Sequence, residues 1–144
     1  MASGNLSTQV VGNAGLYYVC YELSKRGWNV LPTSRHAKGV DIVIYNQKGD
    51  TTHTIQVKAL SKQNAISLGD NLENLIAGYF IICLLEGERP KCYILSTAEM
   101  ISSDEIKSQR EKGPKVGFWA NNNKKVWQAF HEKYYEKWDT IGKG

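Results

Sequence analysis

The segment GVDIVIYNQKGDTTHTIQVKAL, residues 39 to 60, has the pattern of two short apolar strands joined by a tight turn. Gly49 and its polar neighbours are typical turn residues, so the segment predicts a β-hairpin. Three polar residues lie where a plain hairpin does not require them. Asp41 is at the start of the first strand, and Gln56 and Lys58 are at the end of the second. We therefore ask whether these three side chains form a site.

The register of the hairpin decides whether the three side chains meet. Gln56 and Lys58 are two positions apart, so they project from one face of their strand while the alternate apolar residues face the core. A Lys48-Gly49 turn pairs residues whose numbers add up to 97 and places Asp41 opposite Gln56. A Gly49-Asp50 turn gives 99 and places Asp41 opposite Lys58. Opposed residues have Cβ atoms about 5 Å apart, so either odd register gathers the three groups and an even register separates them.

The chemistry of these groups indicates a magnesium site. A carboxylate and an amide carbonyl are hard oxygen ligands of the kind that Mg²⁺ binds, and the backbone carbonyl of Val57 is a candidate third ligand. A lysine beside such an ion orients the attacking water and stabilises the charge that develops on a phosphate. The pattern therefore predicts metal-assisted hydrolysis of a phosphodiester by Asp41, Gln56 and Lys58, with Mn²⁺ as a substitute for Mg²⁺.

The charge of the chain is distributed unevenly. Residues 1–69 hold seven Lys/Arg and three Asp/Glu, whereas residues 70–144 hold eleven of each, so the whole net charge of +4 lies in the half with the hairpin. This excess suits a polyanion such as nucleic acid, and it is equally compatible with a solvated surface. The candidate nucleic-acid-binding residues are Arg35, His36, Lys38 and Lys62, for which a purely solvated role is the alternative.

The sequence argues against several classes of protein. The longest apolar run, residues 79–85, is far shorter than the roughly 20 residues of a membrane-spanning helix. The N-terminal residues lack the apolar stretch of a signal peptide, so a cytoplasmic location without a membrane partner is expected. The three cysteines, Cys20, Cys83 and Cys92, lie in apolar segments without CxxC spacing and are predicted to be core residues. The histidines lack zinc-ligand spacing.

The coarse order of elements is that of a mixed α/β protein with a central sheet, in one domain over residues 1–144. The predicted elements are a helix over 12–26, a strand over 28–31, the hairpin, a short helix capped by Asp70 or Asn71 that ends at 76, a buried strand over 79–85 with a partner over 91–95, a helix that begins at Ser96 or Thr97, a short strand in VGFWA, and a last helix over about 123–138.

These features resemble the PD-(D/E)xK nuclease superfamily, whose fold occurs in many restriction enzymes, archaeal Holliday-junction resolvases and some homing endonucleases. The resemblance covers about residues 12–85 and rests on the leading helix with SKRGWNV, on GVD, and on IQVK at the end of the hairpin. It implies a restriction endonuclease-like α-β-β-β-α-β core, in which a central mixed sheet is flanked by helices, with residues 96–144 as a helical addition to a core of about 12–95.

The resemblance also implies roles. Asp41 corresponds to a metal ligand, Gln56 to the second ligand position, and Lys58 to the catalytic lysine. The implied activity is hydrolysis of DNA by an Mg²⁺-dependent endodeoxyribonuclease, typically as a homodimer and without a small-molecule cofactor.

The sequence departs from the family pattern at three positions. Val40 replaces the proline before the metal-binding aspartate, and Gln56 replaces an acid, so a weaker metal site is expected. Leu16 follows Gly15 where many relatives carry a helix glutamate. Glu22 is six residues further on, about 240° around the helix, and is a poor substitute.

Two alternatives stay open. In the first, the fold holds nucleic acid without cutting it, as the neutral Gln56 and the missing helix acid suggest. In the second, the chain is a protein-interaction or immunity-type domain, which predicts no salt-dependent affinity for DNA.

Overall fold

The structure is a computed structural model, and the residues that it describes are 6–34, 38–69, 71–112, 118–119 and 124–144. The helices are α1 (Thr8–Lys25), α2 (Thr97–Ile101), α3 (Asp104–Lys112) and α4 (Lys124–Tyr134). The strands are β1 (Asn29–Pro32), β2 (Ile42–Tyr45), β3 (Thr52–Leu60), β4 (Ile66–Ser67), β5 (Tyr79–Leu84), β6 (Lys91–Ser96) and β7 (Phe118–Trp119). Short 3₁₀ turns occur at Leu72–Asn74 and Trp138–Thr140.

The central sheet has five strands in the order β1, β2, β3, β5, β6. Adjacent strands are antiparallel except β3 and β5, which run parallel. A parallel pair needs a crossover connection, which residues 61–78 provide. Strands β4 and β7 form a separate two-stranded sheet. The predicted fold class, a mixed α/β protein with a central mixed sheet flanked by helices, is confirmed.

Apolar clusters cover both faces of the central sheet. On one face, Val19 of α1 belongs to a cluster with Ile81 of β5. On the other face, Trp127 of α4 belongs to a cluster with Phe80 of β5. Because β5 is buried on both sides, its sequence is apolar without alternation, as is typical of a central parallel strand.

Helix α1 begins four residues earlier than predicted. The Ser7 side chain caps it by accepting a hydrogen bond from the Val10 N–H at 3.2 Å. The helix ends before Gly27, whose positive φ of 94° is a conformation that glycine adopts without a Cβ clash. The sequence signal at Gly27 therefore located the C-terminal end correctly.

The connection between β3 and β5 differs from the prediction. Asn71 acts as a cap, with its side chain accepting from the Glu73 N–H at 2.9 Å, but it begins only a 3₁₀ turn. A short helix needs a buried face to be stable, and Ile76 is 65% exposed. The predicted helix up to residue 76 is therefore reduced to one turn, while Asp70 lies outside the described residues.

The C-terminal elements also differ in their bounds. Ser96 caps α2 in a capping box with Glu99, and the predicted single helix divides into α2 and α3 near Ser102. The strand predicted in VGFWA is present as β7. The last helix ends at Tyr134, shortly before Glu136 takes a positive φ of 51°.

The cysteines are core residues, as predicted. Cys83 and Cys92 are fully buried opposite each other on β5 and β6, and the half-buried Cys20 packs against the same cluster. All three are free thiols. A hydrogen bond with Cys83, together with burial, raises the pKa of the Cys92 thiol. Within the described ranges, the helices are too short or too polar to cross a bilayer.

Candidate active site

The hairpin formed by β2 and β3 has an odd register. Ile42 pairs with Ile55 and Tyr45 with Thr52, so paired residue numbers add up to 97. This is the register predicted for a turn at Lys48-Gly49. The turn itself is longer, because residues 47–50 form a four-residue loop.

Asn46 holds this loop closed. Its backbone N–H donates to the Thr51 carbonyl at 3.0 Å, and its side-chain oxygen accepts from the Asp50 and Thr51 N–H groups, both at 3.0 Å. Gly49 takes a positive φ of 79° within the loop. The Asn46 side chain thus substitutes for backbone pairing and keeps the odd register despite the longer turn.

Strand β2 is irregular at Asp41. The Asp41 N–H donates to the Ile55 carbonyl at 2.9 Å, although Ile55 pairs with Ile42. Two residues therefore face one residue of β3, as in a β-bulge. The Asp41 carboxylate, through Oδ2, accepts from the Val57 N–H at 2.7 Å. The Asp41 side-chain oxygen thus accepts the hydrogen bond from the Val57 N–H that a backbone carbonyl would accept in a regular β-ladder.

Thr33, which directly follows β1, also holds the Asp41 segment in place through two hydrogen bonds. The Thr33 N–H donates to the Asp41 carbonyl at 2.9 Å, and the Thr33 hydroxyl donates to the Val40 carbonyl at 2.6 Å. Asp41 is therefore held through its N–H, its carbonyl and its carboxylate. Such multiple fixing favours a defined position of the carboxylate, which a metal or substrate site requires.

The carbonyl of Val57 projects to the same edge of β3 as its N–H, because both groups of one strand residue point to one side. Since the N–H bonds to Asp41, the carbonyl also faces the Asp41 side of the strand. Two of the predicted oxygen ligands, the Asp41 carboxylate and the Val57 carbonyl, therefore share this edge.

A cavity of about 280 Å³ lies beside this edge. Its lining residues are Gly12 and Leu16 of α1, Thr33 and Ser34 after β1, Asp41, and Val57 and Ala59 of β3. The cavity is thus built from the first helix and the first three strands. It provides space next to the Asp41 carboxylate.

Close packing of α1 on β3 forms the wall of the cavity. A Cβ on Gly15 would lie 2.5 Å from the Ala59 Cβ, so only glycine allows this approach. One turn away, a Cβ on Gly12 would have no atom within 4 Å. Gly15 therefore sets the distance between helix and strand, and Gly12 leaves the cavity open.

Gln56 has a buried amide oxygen. Its Oε1 atom has no hydrogen-bond partner among the described residues. Leaving such a group unsatisfied typically costs about 1–3 kcal/mol, and an unpaired buried polar atom in a native structure is often explained by a ligand or ion. The atom therefore supports a ligand role for Gln56.

Gln56 and Lys58 do not line the cavity. Their partners on β5 are Phe80 and Ile82, whose side chains belong to the cluster on the sheet face away from α1. Lys58 is half-buried and, within the described part of the chain, forms no ion pair with Asp41 or another acid. Asp41 lines the cavity with Val57 and Ala59, whereas Gln56 and Lys58 alternate with these residues along β3. The joint site of Asp41, Gln56 and Lys58 stays a prediction.

Leu16, which follows Gly15 on α1, lines the cavity and brings no acid to it. Glu22 is elsewhere: it is buried and its carboxylate lies 2.6 Å from Arg26 and 3.1 Å from Lys25. Burial acts to raise the pKa of Glu22, but hydrogen bonds from Arg26, Tyr18 and Lys25 lower it below its usual value. Glu22 therefore belongs to an ion-pair group at the end of α1.

The structure describes two of the four residues that were predicted to bind nucleic acid. Lys38 and Lys62 are exposed, whereas Arg35 and His36 lie outside the described residues. Gly39, next to Lys38, has a positive φ of 79° and packs against the loop that carries Ile76. The loop before Asp41 is thus anchored where Lys38 is presented to solvent.

Sequence reasoning missed four lining residues: Gly12, Thr33, Ser34 and Ala59. The pairing of β1 with β2 places Thr33 beside Asp41, and that register was not deduced from the sequence. Across the described residues, groups of three or more His, Cys, Asp or Glu suited to a metal ion are absent. Any metal here would therefore depend on amide and carbonyl oxygens as well as on Asp41.

Comparison with known proteins gives one structural likeness. No protein-family model matches the chain, and no curated protein matches its sequence. The solved structure of a bacterial homing endonuclease, I-Ssp6803I, matches with a TM-score of 0.58 and 15% identity, and the alignment covers 94% of this chain and 93% of that one. The likeness shows a shared fold that extends over nearly all of both chains.

Proposed function

We propose that this chain is a metal-dependent deoxyribonuclease that hydrolyses DNA phosphodiester bonds. The observation that carries the proposal is the Asp41 carboxylate, fixed by the Val57 N–H at 2.7 Å beside a cavity of about 280 Å³. The fold shared with a homing endonuclease supports the same class of reaction. In this proposal Asp41 and Gln56 are side-chain ligands, the Val57 carbonyl is a backbone ligand, and Lys58 assists the attacking water.

The donor set fits Mg²⁺. It consists of one carboxylate, one amide oxygen and one backbone carbonyl, all hard oxygen donors. A cation would also satisfy the buried Gln56 Oε1, which otherwise has no partner among the described residues. When bound, Mg²⁺ supplies Lewis-acid stabilisation of the charge that develops on the phosphate. Because the set holds a single formal charge, DNA phosphate oxygens are expected to strengthen binding of the ion.

Lys58 is suited to an electrostatic role. Its side chain is half-buried, and no acid neutralises it within the described residues. A cation in a partly desolvated place interacts more strongly with a phosphate than one in bulk water. We assign to Lys58 the orientation of the attacking water and the stabilisation of negative charge in the transition state.

DNA positioning is assigned to the exposed basic residues around the site. Lys38 precedes the anchored Gly39 and Lys62 follows β3, so both lie close in sequence to the ligand residues. Arg35 and His36 are proposed to act with them. Contacts of this kind bind the phosphate backbone and fix the register of the duplex without reading its sequence.

A binding module without catalysis is the second candidate. The observation that favours it is Leu16, an apolar residue in the cavity wall at the position where relatives carry a metal-binding acid. With one carboxylate in the donor set, the metal site is weaker than a two-acid site. This candidate predicts salt-dependent DNA binding without cleavage.

The proposal is tested by nicking of supercoiled DNA in the presence of Mg²⁺ or Mn²⁺. Asp41→Asn keeps an oxygen that accepts from the Val57 N–H but removes the charge, and we expect a loss of cleavage of about 100-fold or more. Lys58→Met should cause a loss of similar size. Glu88→Gln, which removes an exposed carboxylate in the β5–β6 loop, is the matched control and should leave cleavage unchanged.

The outcomes separate the candidates. Metal-dependent nicking that both Asp41→Asn and Lys58→Met abolish supports the nuclease. DNA binding that weakens with salt, without nicking by any form of the chain, supports the binding module. No salt-dependent DNA affinity at all would contradict both and favour the protein-interaction alternative.

A further inference from the structure

The outer face of α1 is apolar. Val10, Tyr17 and Tyr21 are 46%, 64% and 60% exposed. At about 100° per residue, Tyr17 and Tyr21 lie about 20° to either side of Val10 on the helix, whereas the fully buried Val19 lies about 180° from it. Leu6, 44% exposed, precedes the N-cap at the same end. We call Leu6, Val10, Tyr17 and Tyr21 the outer stripe.

The outer stripe concentrates exposed apolar surface. The described residues include six exposed large hydrophobic side chains, and four of them belong to it. Together these four expose on the order of 400 Å², which is comparable to the largest apolar patch of a typical monomer, and such a patch is often functional. This is about half of the roughly 800 Å² per partner that a typical stable interface buries, before any flanking residue is counted.

The outer stripe is also free of charge. The first Asp, Glu, Lys or Arg in the sequence is Glu22, so nearly the whole of α1 lacks the charged residues of an ordinary solvent-facing helix. A face formed mainly by apolar and aromatic side chains offers few cations to the DNA backbone. At the end of the stripe, the Lys25 ammonium lies 5.4 Å from the centre of the Tyr21 ring. The chemistry fits an apolar, uncharged partner surface.

We propose that the outer stripe joins two copies of this chain through antiparallel pairing of their α1 helices about a two-fold axis. The spacing of the stripe is self-complementary along the sequence: the midpoint between Asn13 and Ala14 is the same number of residues from Val10 as from Tyr17, and from Leu6 as from Tyr21. A two-fold axis there places each aliphatic side chain of one protomer against a tyrosine of its partner, and each contact occurs twice, as symmetry requires. The short side chains of Asn13 and Ala14 let the helices approach at the centre.

This pairing brings the two candidate sites together. Gly12 and Leu16, which line the Asp41 cavity, lie within about three residues of the axis. At a rise of about 1.5 Å per residue, the helical walls of the two cavities lie within a few ångströms of the axis along the helix. The dimer thus carries two sites beside one axis, although its formation does not depend on the proposed nuclease activity.

The interface is tested with the full chain in the absence of DNA, by sedimentation velocity over a range of concentrations. Wild type is expected to dimerise. Tyr17→Glu places a charge in the apolar contact and should raise the dimer dissociation constant about 30-fold or more. Ile76→Glu, an exposed apolar residue outside the outer stripe, is the matched control and should dimerise like wild type. Thermal unfolding of each variant shows whether it is folded.

A second variant tests the position of the axis. Asn13→Cys should meet its own copy near the axis and form a disulfide-linked dimer on oxidation, whereas Ile76→Cys should not. Wild type, in which Cys83 and Cys92 are buried and Cys20 is half-buried, measures the background from the native thiols. The proposal is overturned by a wild-type chain that is monomeric at high concentration. It is also overturned if folded Tyr17→Glu dimerises unchanged or if Asn13→Cys fails to cross-link above background.

Discussion

Gln56 is the residue on which the strength of the candidate metal site depends. Its amide oxygen is buried without a partner among the described residues, next to the edge at which Asp41 is fixed. A neutral oxygen binds a divalent cation less strongly than a carboxylate does. Gln56 therefore offers an oxygen ligand but does not add a second negative charge to the candidate metal site.

Gln56→Glu tests the effect of that charge. The added charge should tighten Mg²⁺ binding at least about tenfold, measured by calorimetric titration without DNA. Without the metal, the buried carboxylate should lower the melting temperature, and Mg²⁺ should restore it. Gln63→Glu adds the same charge at an exposed position and serves as the control. Equal Mg²⁺ affinity in wild type and Gln56→Glu would exclude Gln56 as a ligand.

At the scale of elements, the contact between α1 and β3 positions the candidate site. Gly15 brings the helix against Ala59, and this contact places Gly12 and Leu16 in the cavity wall. The two glycines differ in their surroundings although both lie in one helix. Their substitution by alanine therefore distinguishes close packing from helix propensity.

Gly15→Ala and Gly12→Ala should have effects of opposite sign on the free energy of unfolding, measured by urea denaturation. At Gly15 the added Cβ would lie 2.5 Å from the Ala59 Cβ, and the resulting overpacking should destabilise the fold by about 1–3 kcal/mol. At Gly12 no atom lies within 4 Å, so alanine should stabilise the helix by about 0.5–1 kcal/mol. Two effects of the same sign would refute the packing argument.

The elements also show what the sequence could predict. The odd register of the hairpin follows from strand alternation and the turn signal, and it is confirmed. The bulge at Asp41 could not be predicted from the sequence, because strand-pairing rules assume a regular backbone. The short helix predicted before β5 is only a 3₁₀ turn, because a cap signal does not show whether the following residues have a face to bury, and Ile76 is exposed. The cavity depends on the packing of Gly15 on Ala59, a tertiary contact that no local pattern contains.

At the scale of the whole molecule, the end of α1 is tied to the C-terminal segment. Glu22 bonds Arg26, whose guanidinium lies 4.4 Å from the centre of the Trp138 ring. The Gly144 N–H donates to the Arg26 carbonyl at 3.2 Å, and the Trp28 indole donates to the Gly142 carbonyl at 3.0 Å. These contacts link the C-terminal end of α1 to residues 138–144, while the assignment of residues 1–144 to a single domain stays a prediction.

The stability supplied by Glu22 should depend on pH. Its pKa is lowered in the folded chain, so its ionised contacts stabilise the fold above the ordinary glutamate pKa of about 4.5, and this contribution is lost as the pH falls through the lowered value. Urea denaturation should show Glu22→Gln less stable than wild type at pH 7, with a difference that shrinks below pH 4.5. A difference that is constant from pH 7 to pH 3 would show that the charge of Glu22 does not contribute.

The hydrogen bond from the Val57 N–H to the Asp41 carboxylate has one further consequence. Here one backbone amide bonds directly to the candidate ligand, so its proton senses any change in the charge of that carboxylate. The nuclear magnetic resonance signal of the Val57 amide is therefore a built-in reporter, able to register an ion at Asp41 without a label, a substrate or a mutation.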